Sequence, residues 1–431
     1  MRRALGIYYS ELEVHGTPAM PERGPVMLLA NHHNGMVDPM LVVATSPRPV
    51  RFLARSGLFK IPVLGFFMRH MGAVEVFRRD DPGYAKEKNA MVYDAVGEAL
   101  AAGDVVGIFP EGRTHANPWL EEFRHGAARM ALEAQAAHGL DGSAAPAIAV
   151  QLVGIHFEGT RLFGGKVLID YAPPIALESF RERYAADPRA AVEALTGALH
   201  ERLRRMILEA QDAEQLQLAE LVARFGVLEA GTAGPGLKGA VDRRQRLLEA
   251  YQRVRARDPA ATAAVVRRLR HYQHYLDLLG IRDDHLEEDY RWPRELAKAV
   301  GSTLLLLLGV PVLALGTVLN APPHALAVVL TRLSHSDLRR SSALLSGMAV
   351  FPAWYLLLAW LGWRWAPAWV WVPLVIAGPL AGLAAVRWRE RRRRLAESTW
   401  ALWAALRLPR VRTRLAEMRA EILERIERLL A

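Results

Sequence analysis

The 431 residues contain no cysteine. That absence excludes thiol nucleophiles, disulfides, thiolate-held zinc and iron–sulfur clusters together, so any chemistry must rest on other side chains. Charge is missing in three places: residues 299–319, 343–362 and 367–386 hold no Asp, Glu, Lys or Arg. Each run is near the ~20 apolar residues needed to cross a bilayer core, and buried helices of soluble proteins rarely run so long uncharged. The start of the chain, MRRALGIYYSELEVHG, meets Glu11 and Glu13 too soon for the apolar stretch of a secretory signal. Residues 1–23 read as a short basic and aromatic segment that lies on a membrane surface, or as a plain first helix.

What is present is positive charge. The formal net charge is +10, carried almost entirely by arginine, which calls for an anionic partner: phosphate, anionic lipid or nucleic acid. Arginine and lysine flank the apolar runs at Arg291, Arg294 and Lys298, at Arg332, Arg339 and Arg340, and in RWRERRRR over 387–394. Such clusters at span ends read as topology anchors rather than as a nucleic-acid site. If all three clusters are cytoplasmic, the spans pair as hairpins, with Asn320-Ala-Pro-Pro323 and residues 362–367 as far-side turns. The return from His324 to Leu330 is too short to span unaided, so the first hairpin is read as re-entrant.

Length allows two or three domains. Over 24–176, short aliphatic runs (PVMLLAN, GAVEVF, DVVGIF, PAIAVQLVGI, KVLIDYA) alternate with helical stretches such as 84–102, the pattern of a mixed-sheet α/β domain. Residues 177–290 read as a helical connector without chemistry, broken by a loop at the glycine-rich AGTAGPGLKG. Residues 291–394 form the transmembrane hairpins and 395–431 a C-terminal cytoplasmic helix.

The chemistry-bearing motifs fall at the ends of the strand-like runs, where open α/β sheets gather their ligands. ANHHNGMVDPM places His32 and His33 near Asp38. A neutral imidazole whose other nitrogen meets a carboxylate can take a hydroxyl proton near neutral pH. Without a serine, such a dyad activates a hydroxyl on the substrate. The same His32, His33 and Asp38 read alternatively as ligands of a metal-dependent hydrolase, although no third or fourth ligand type stands nearby in sequence. FPEGR (Glu111, Gly112, Arg113) makes a tight turn projecting charge from a strand end. Arg78 and Arg79 close GAVEVFRR, and guanidinium suits bidentate capture of phosphate.

In order and spacing these motifs resemble the phospholipid/glycerol acyltransferase family, which includes the 1-acylglycerol-3-phosphate and glycerol-3-phosphate acyltransferases. Its motifs are NHxxxxD, an arginine after a short strand, and FPEG, and the resemblance covers about 24–175. It implies a mixed-sheet acyltransferase domain with the transmembrane region behind it. It further implies transfer of a fatty acyl group from acyl-CoA or acyl carrier protein to the hydroxyl of glycerol 3-phosphate or of 1-acylglycerol 3-phosphate (lysophosphatidic acid). The motifs meet only the phosphate that the two acceptors share, and the monoacylated one is preferred. The thioester is already activated, so no cofactor and no metal is called for. In that reading the chain works on membrane lipid without nucleic acid, its catalytic domain on the cytoplasmic face. His32 or His33 is the base, Asp38 its orienting acid, and Arg78, Glu111, Gly112 and Arg113 hold the glycerol phosphate, with Arg79 weaker. Spacing in NHxxxxD selects His33, whereas the preceding Asn, and a bacterial subgroup reading NHPN then DP, select His32. The fourth family motif, V-P-V-like, is replaced by AVQLVG over 149–154, so no residue is carried over there.

Overall fold

In the computed structural model the described residues are 5–6, 9–77, 86–115, 117, 119–137, 147–158, 164–208, 210, 213–225, 236–280, 283, 292–333, 339–407 and 409–430. They divide into two compact units, residues 1–216 with 231–246, and residues 217–230 with 247–431.

The first unit is the mixed α/β domain. Its strands are β1 (Glu11–His15), β2 (Val26–Ala30), β3 (Val50–Arg55), β4 (Val74–Val76), β5 (Val105–Ile108), β6 (Ala149–Glu158), β7 (Lys166–Tyr171) and the two-residue β8 (Ile175–Ala176). They form one sheet in the order β1-β7-β6-β2-β5-β3-β4, with β8 paired to β6. Pairing is parallel except for β6 with β7 and with β8. The five aliphatic runs all form strands. Strands β1 and β3 escape the sequence reading. Residues 11–15, expected within an interfacial segment or first helix, instead pair in parallel with β7. Their alternating Glu-Leu-Glu-Val pattern is a two-residue period that a sheet edge accepts and a helix does not.

The helices of this unit are α1 (Val37–Thr45), α2 (Ser56–Phe59), α3 (Pro62–His70), α4 (Lys86–Ala101), α5 (Gly126–Ala137), α6 (Glu178–Ala186) and α7 (Pro188–Arg204). Asp187 starts α7 by accepting from the amides of Arg189 (3.0 Å) and Ala190 (3.1 Å), with Pro188 set where its missing N–H costs nothing. One sheet face, carrying Met27, Leu29, Val106, Val150 and Leu152, closes on Val96 and Leu100 of α4, Leu132 of α5 and Leu195 and Leu199 of α7. All of these are essentially solvent-free. At ~1.5–3 kcal/mol per fully buried large aliphatic side chain, this core dominates the domain's stability.

Central β2 lies between β5 and β6, parallel to both, with Leu29 opposite Ile108 and Ala30 opposite Val153. The segments leaving the C-terminal ends of β2 and β5 therefore emerge side by side. Residues 30–38 and 109–113 are brought together by this register alone.

The remaining helices are α8 (Ala213–Arg224), α9 (Gly236–Arg257), α10 (Pro259–Leu279), α11 (Trp292–Leu308), α12 (Val310–Leu333), α13 (Arg339–Trp365), α14 (Ala368–Arg407) and α15 (Pro409–Leu430). Gly236 to Gly239, read as loop, form the first turn of α9. The Glu13 carboxylate accepts from the Leu237 and Lys238 amides, an anion at a helix N-terminus. In the second unit a core of large apolar side chains forms away from the membrane-length helices: Val265, Leu269 and Tyr272 of α10 pack with Leu415, Ile422 and Ile426 of α15. Buried Asp283 closes this pair, accepting from Tyr272 Oη (2.5 Å) and Arg419 Nε (3.1 Å to Oδ2).

Among the described residues three helical stretches are long and apolar enough to cross a membrane: Val310–Leu333, Ser346–Trp365 and Ala368–Arg393. The first differs from the expected 299–319, because the helix breaks at Gly309, two residues before Pro311. Asn320 to Pro323, expected as a turn, lie inside α12. Pro323 cannot donate to the Leu319 carbonyl, and the Trp354 indole of α13 donates to that carbonyl instead (3.0 Å). Asn320 Nδ2 donates to the Gly316 carbonyl (2.8 Å) and to that of Gly378 in α14 (3.1 Å), while Tyr355 Oη donates to Asn320 Oδ1 (2.9 Å). Every side-chain polar group of this node is satisfied in an apolar surround, as a lipid environment requires.

Candidate active site

Asn31 anchors the first loop. Its side-chain amide continues the β2–β6 ladder one step past the strand, Oδ1 accepting from Ile155 N (2.8 Å) and Nδ2 donating to Ile155 O (3.0 Å). The next two residues then diverge, as consecutive residues of an extended segment must. His32 Nδ1 donates to Asp38 Oδ2 at 3.0 Å. Asp38, in the first turn of α1 and solvent-free, is held by the Asn34 amide (2.7 Å to the same oxygen). The His32 ring stacks on Phe109 at 3.9 Å between centroids, and Phe109 on Phe52 at 5.2 Å. With Nδ1 committed to Asp38, the free lone pair of His32 is on Nε2.

His33 is arranged differently. Its Nδ1 meets Asn31 Nδ2 at 3.0 Å; an amide NH2 only donates, so this nitrogen accepts and its lone pair is used. Burial pushes the His33 imidazole below its ordinary value, against the opposing charges of Asp38 and Glu111. The His33 ring faces that of His115, 5.0 Å away.

The FPEGR turn sits directly beside this loop. Gly112 takes a left-handed φ of +72°, and a Cβ there would fall 2.7 Å from Arg124 Nε, so glycine serves both the turn and the approach of that guanidinium. Glu111 lies beneath the turn, 3% exposed. Its Oε1 accepts from the His32 amide (2.8 Å), and its Oε2 accepts from the Glu121 amide (3.0 Å) and from His115 Nε2. The carboxylate is therefore occupied in tying the β2 loop to the β5 loop, a placement that suits positioning of His32 rather than contact with an anion. For His115 burial acts to lower the pKa, but the hydrogen bond and charge of Glu111 outweigh it and hold the imidazole above its ordinary value.

Arg113 is mostly exposed and forks onto Glu121 (Nη2 to Oε1, 2.7 Å). Arg113, Arg124 and Trp119 line an open groove of about 480 Å³ above Glu111. Arg78 and Arg79 lie outside the described residues. Among the described residues no group of three His, Asp or Glu side chains comes together as a metal site. His115, Glu121 and Arg124 join the site without standing out in the sequence. Their only signals are the four-residue step from Glu111 to His115 and the basic residue in FRHG.

Residues 11–151 match the family model described as Acyltransferase. That match runs from β1 into β6 and so takes in most of the sheet just described. It is 24% identical over 282 residues to glycerol-3-phosphate O-acyltransferase 2 of Saccharomyces cerevisiae, covering 64% of this chain and 36% of that protein. It is 28% identical over 120 residues to the 1-acyl-sn-glycerol-3-phosphate acyltransferase of Borreliella burgdorferi, 28% of this chain and 46% of that one. The chain thus spans between about a third and a half of the length of these relatives. The crystal structure of the 1-acyl-sn-glycerophosphate (LPA) acyltransferase from Thermotoga maritima is similar at 21% identity over 47% of this chain and 76% of that one. Its TM-score is 0.34, a superposition too partial to add to what the sheet order itself shows.

Proposed function

We propose that this protein is a membrane-integral glycerolipid O-acyltransferase that moves a fatty acyl group from acyl-CoA or acyl carrier protein to a glycerol phosphate hydroxyl. The observation that carries the reading is the 3.0 Å bond from His32 Nδ1 to Asp38, which leaves Nε2 as the proton acceptor. His32 Nε2 removes the acceptor's hydroxyl proton as its oxygen bonds to the thioester carbonyl carbon. The tetrahedral intermediate then collapses, the C–S bond breaks, and the departing thiolate recovers the proton from the imidazolium. Asp38 fixes the tautomer and stabilises that cation. Neither ATP nor a metal enters the balance, because the thioester is already activated.

Positioning supplies the larger share of catalysis, on the order of 7–11 kcal/mol against the ~10²- to 10⁴-fold of a general base. Arg113 and Arg124, with Arg78, are the groups proposed to hold the phosphate. Glu111 and Gly112 act through the turn that places them. As acceptor we favour glycerol 3-phosphate over the monoacylated form, reversing the weight given by motifs alone. The match to the yeast protein bearing that name runs over 282 residues, well beyond the acyltransferase domain. The match to the 1-acyl-sn-glycerol-3-phosphate enzyme stops at 120. In this reading the membrane-length helices tether the chain where acyl chains partition, and catalysis takes place on the cytoplasmic face. Purified full-length protein, assayed with each acceptor for thiol release from acyl-CoA or acyl carrier protein in the presence of EDTA, tests the whole reading. Turnover with neither acceptor, from either donor, would sink it.

A further inference from the structure

One face of the first unit has chemistry that the site leaves unused. Residues 50–74 include Arg55, Lys60 and Arg69, together with Arg51, which pairs with Asp104 (3.0 Å), but not one Asp or Glu. Within this stretch Ile61, Phe66 and Met71 are 42%, 61% and 38% exposed, three large apolar side chains in eleven residues of sequence. The presentation is rigid. A Cβ on Gly65 would overlap the Phe59 carbonyl oxygen, so α3 crosses α2 in backbone contact, and Arg69 Nη1 donates to that same carbonyl (3.2 Å). Scattered exposed apolar residues need no explanation, but three on one short rigid segment that itself supplies only cations suit one kind of surface: an anionic bilayer, with apolar groups entering among the acyl chains and cations meeting lipid phosphates. The same chain carries three helices of membrane length.

We propose that the α2–α3 surface docks on anionic lipid, inserting Ile61, Phe66 and Met71 with Lys60 and Arg55 at the headgroups. The stack from Phe52 through Phe109 to His32 puts this surface one strand from the proposed reacting imidazole. The inference rests on the patch and not on the acyl-transfer reading.

The missing cysteines make the test direct, since single-cysteine variants need no cleared background. Ile61→Cys, Phe66→Cys and Met71→Cys, each carrying an environment-sensitive fluorophore, are placed in full-length protein in nanodiscs of phosphatidylglycerol and phosphatidylcholine. Arg189→Cys, at a side chain 91% exposed, is the reference. Lipid spin-labelled at the headgroup should quench the three sites severalfold more than the reference, and the difference should shrink without phosphatidylglycerol. Quenching at all three sites no stronger than at 189 overturns docking, and quenching that ignores lipid charge overturns the role of the cations. Unchanged thermal unfolding of the labelled proteins guards against a fold artefact.

A second inference comes from the second unit alone. Helix α12 meets α14 in antiparallel order, Gly316 at Ala381 and Asn320 at Gly378, continuing the order of Leu306 in α11 and Gly309 at Trp388. It meets α13 in antiparallel order too, Leu319 at Trp354 and Ala327 at Ser346. Helices α13 and α14 are likewise antiparallel, Tyr355 at Gly378 and Gly362 at Trp371. Three straight rods cannot each run opposite to both others and all cross the bilayer. The double proline is where α12 loses two backbone bonds.

We infer that α12 enters and returns on one face, bending at Pro322–Pro323, and that α13 and α14 form the only full hairpin among the described residues. The α10–α15 contact requires the same outcome, since α10 precedes the membrane region and α15 follows it. All three arginine-rich clusters then share one face, as the positive-inside rule favours. In sealed vesicles an impermeant maleimide should label Asp277→Cys and Glu427→Cys from the same side and Ala366→Cys from the other. Labelling of 277 and 427 from opposite sides overturns the bend in favour of three straight crossings.

Discussion

Replacing Asp38 by asparagine tests the proposed chemistry more sharply than removing the histidine. In the protein one oxygen of Asp38 serves two donors, His32 Nδ1 at 3.0 Å and the Asn34 amide at 2.7 Å. An isosteric carboxamide whose carbonyl oxygen takes the place of that shared oxygen keeps both donors and the loop, and sets its NH2 where the other carboxylate oxygen, buried without a hydrogen-bond partner, now stands. What the substitution removes is the negative charge that orients His32 and stabilises the imidazolium formed when Nε2 takes the acceptor's proton. The variant should fold and still bind glycerol phosphate, yet lose the general base, ~10²- to 10⁴-fold in kcat or about 3–5 kcal/mol. His32→Ala should lose about the same, and the double variant little more, because the two act as one unit. His33→Ala, whose lone pair is already used by Asn31, should stay within about tenfold of wild type. Thiol release from acyl-CoA reads all four, with no protein thiol contributing background. If Asp38→Asn retains activity, or if His33→Ala shows the large loss while His32→Ala does not, the reasoning fails.

Arg124→Ala should raise the KM for the phosphorylated acceptor by about tenfold or more with a smaller change in kcat, the signature of lost ground-state binding, since its guanidinium lies over Gly112 in the groove. Glu111→Ala leaves the His32 and Glu121 amides and a buried imidazole without their acceptor, so unfolding should show destabilisation by about 3–5 kcal/mol, with activity falling alongside. Two histidines give opposite pH slopes to stability. His115, held above its ordinary 6.5 by Glu111, contributes stability that is complete below that value and lost as pH rises through its folded value. His156, buried and pushed down to about 4, forces the reverse, stability falling as pH drops from 6.5 toward 4. Denaturant titrations should therefore show a steeper acid-side loss in wild type than in His156→Asn and a flatter alkaline side in Glu111→Gln. Gly316→Val drives a side chain into the Ala381 carbonyl and should lower the melting temperature of the detergent-solubilised protein, while Gly301→Val, with open space around it, should not.

The strands of the first unit were legible where sequence periodicity was undisturbed. Runs such as VMLLA and VVGI are short, aliphatic and bounded by polar residues, and nothing but a buried strand accommodates them in an alternating α/β chain. Strand β1 was hidden because its glutamates find partners far along the chain: Glu11 with Lys166, and Glu13 with the α9 N-terminus. Strand β3 was hidden by its two arginines. In the membrane region, composition located the apolar helices but not their boundaries. Whether Pro322–Pro323 ends a helix or sits within one depends on whether another helix offers a donor to the orphaned carbonyl, and Trp354 is 31 residues beyond Pro323.

The division at the site has the same cause. Identity of the residue types was readable, because an imidazole, a carboxylate and guanidinium groups carry their chemistry wherever they stand. Direction was not. Adjacent His32 and His33 differ by nothing in sequence that says which nitrogen is free; the deciding contact, Asn31 with Ile155, joins strands 124 residues apart and fixes the amide that then consumes the His33 lone pair. Glu111 is the stronger case. As a charged residue in a turn beside arginine it reads as part of a phosphate-binding surface, yet a buried carboxylate accepting from two backbone amides and an imidazole is an acceptor only, with no donor to offer a second anion. Its charge is used to hold the His32 backbone against the neighbouring strand end. The acid of FPEGR and the histidine of ANHHNGMVDP are therefore one assembly, and a substitution at Glu111 should move the pH profile of turnover along with the melting point, whereas a merely phosphate-binding acid would move KM alone.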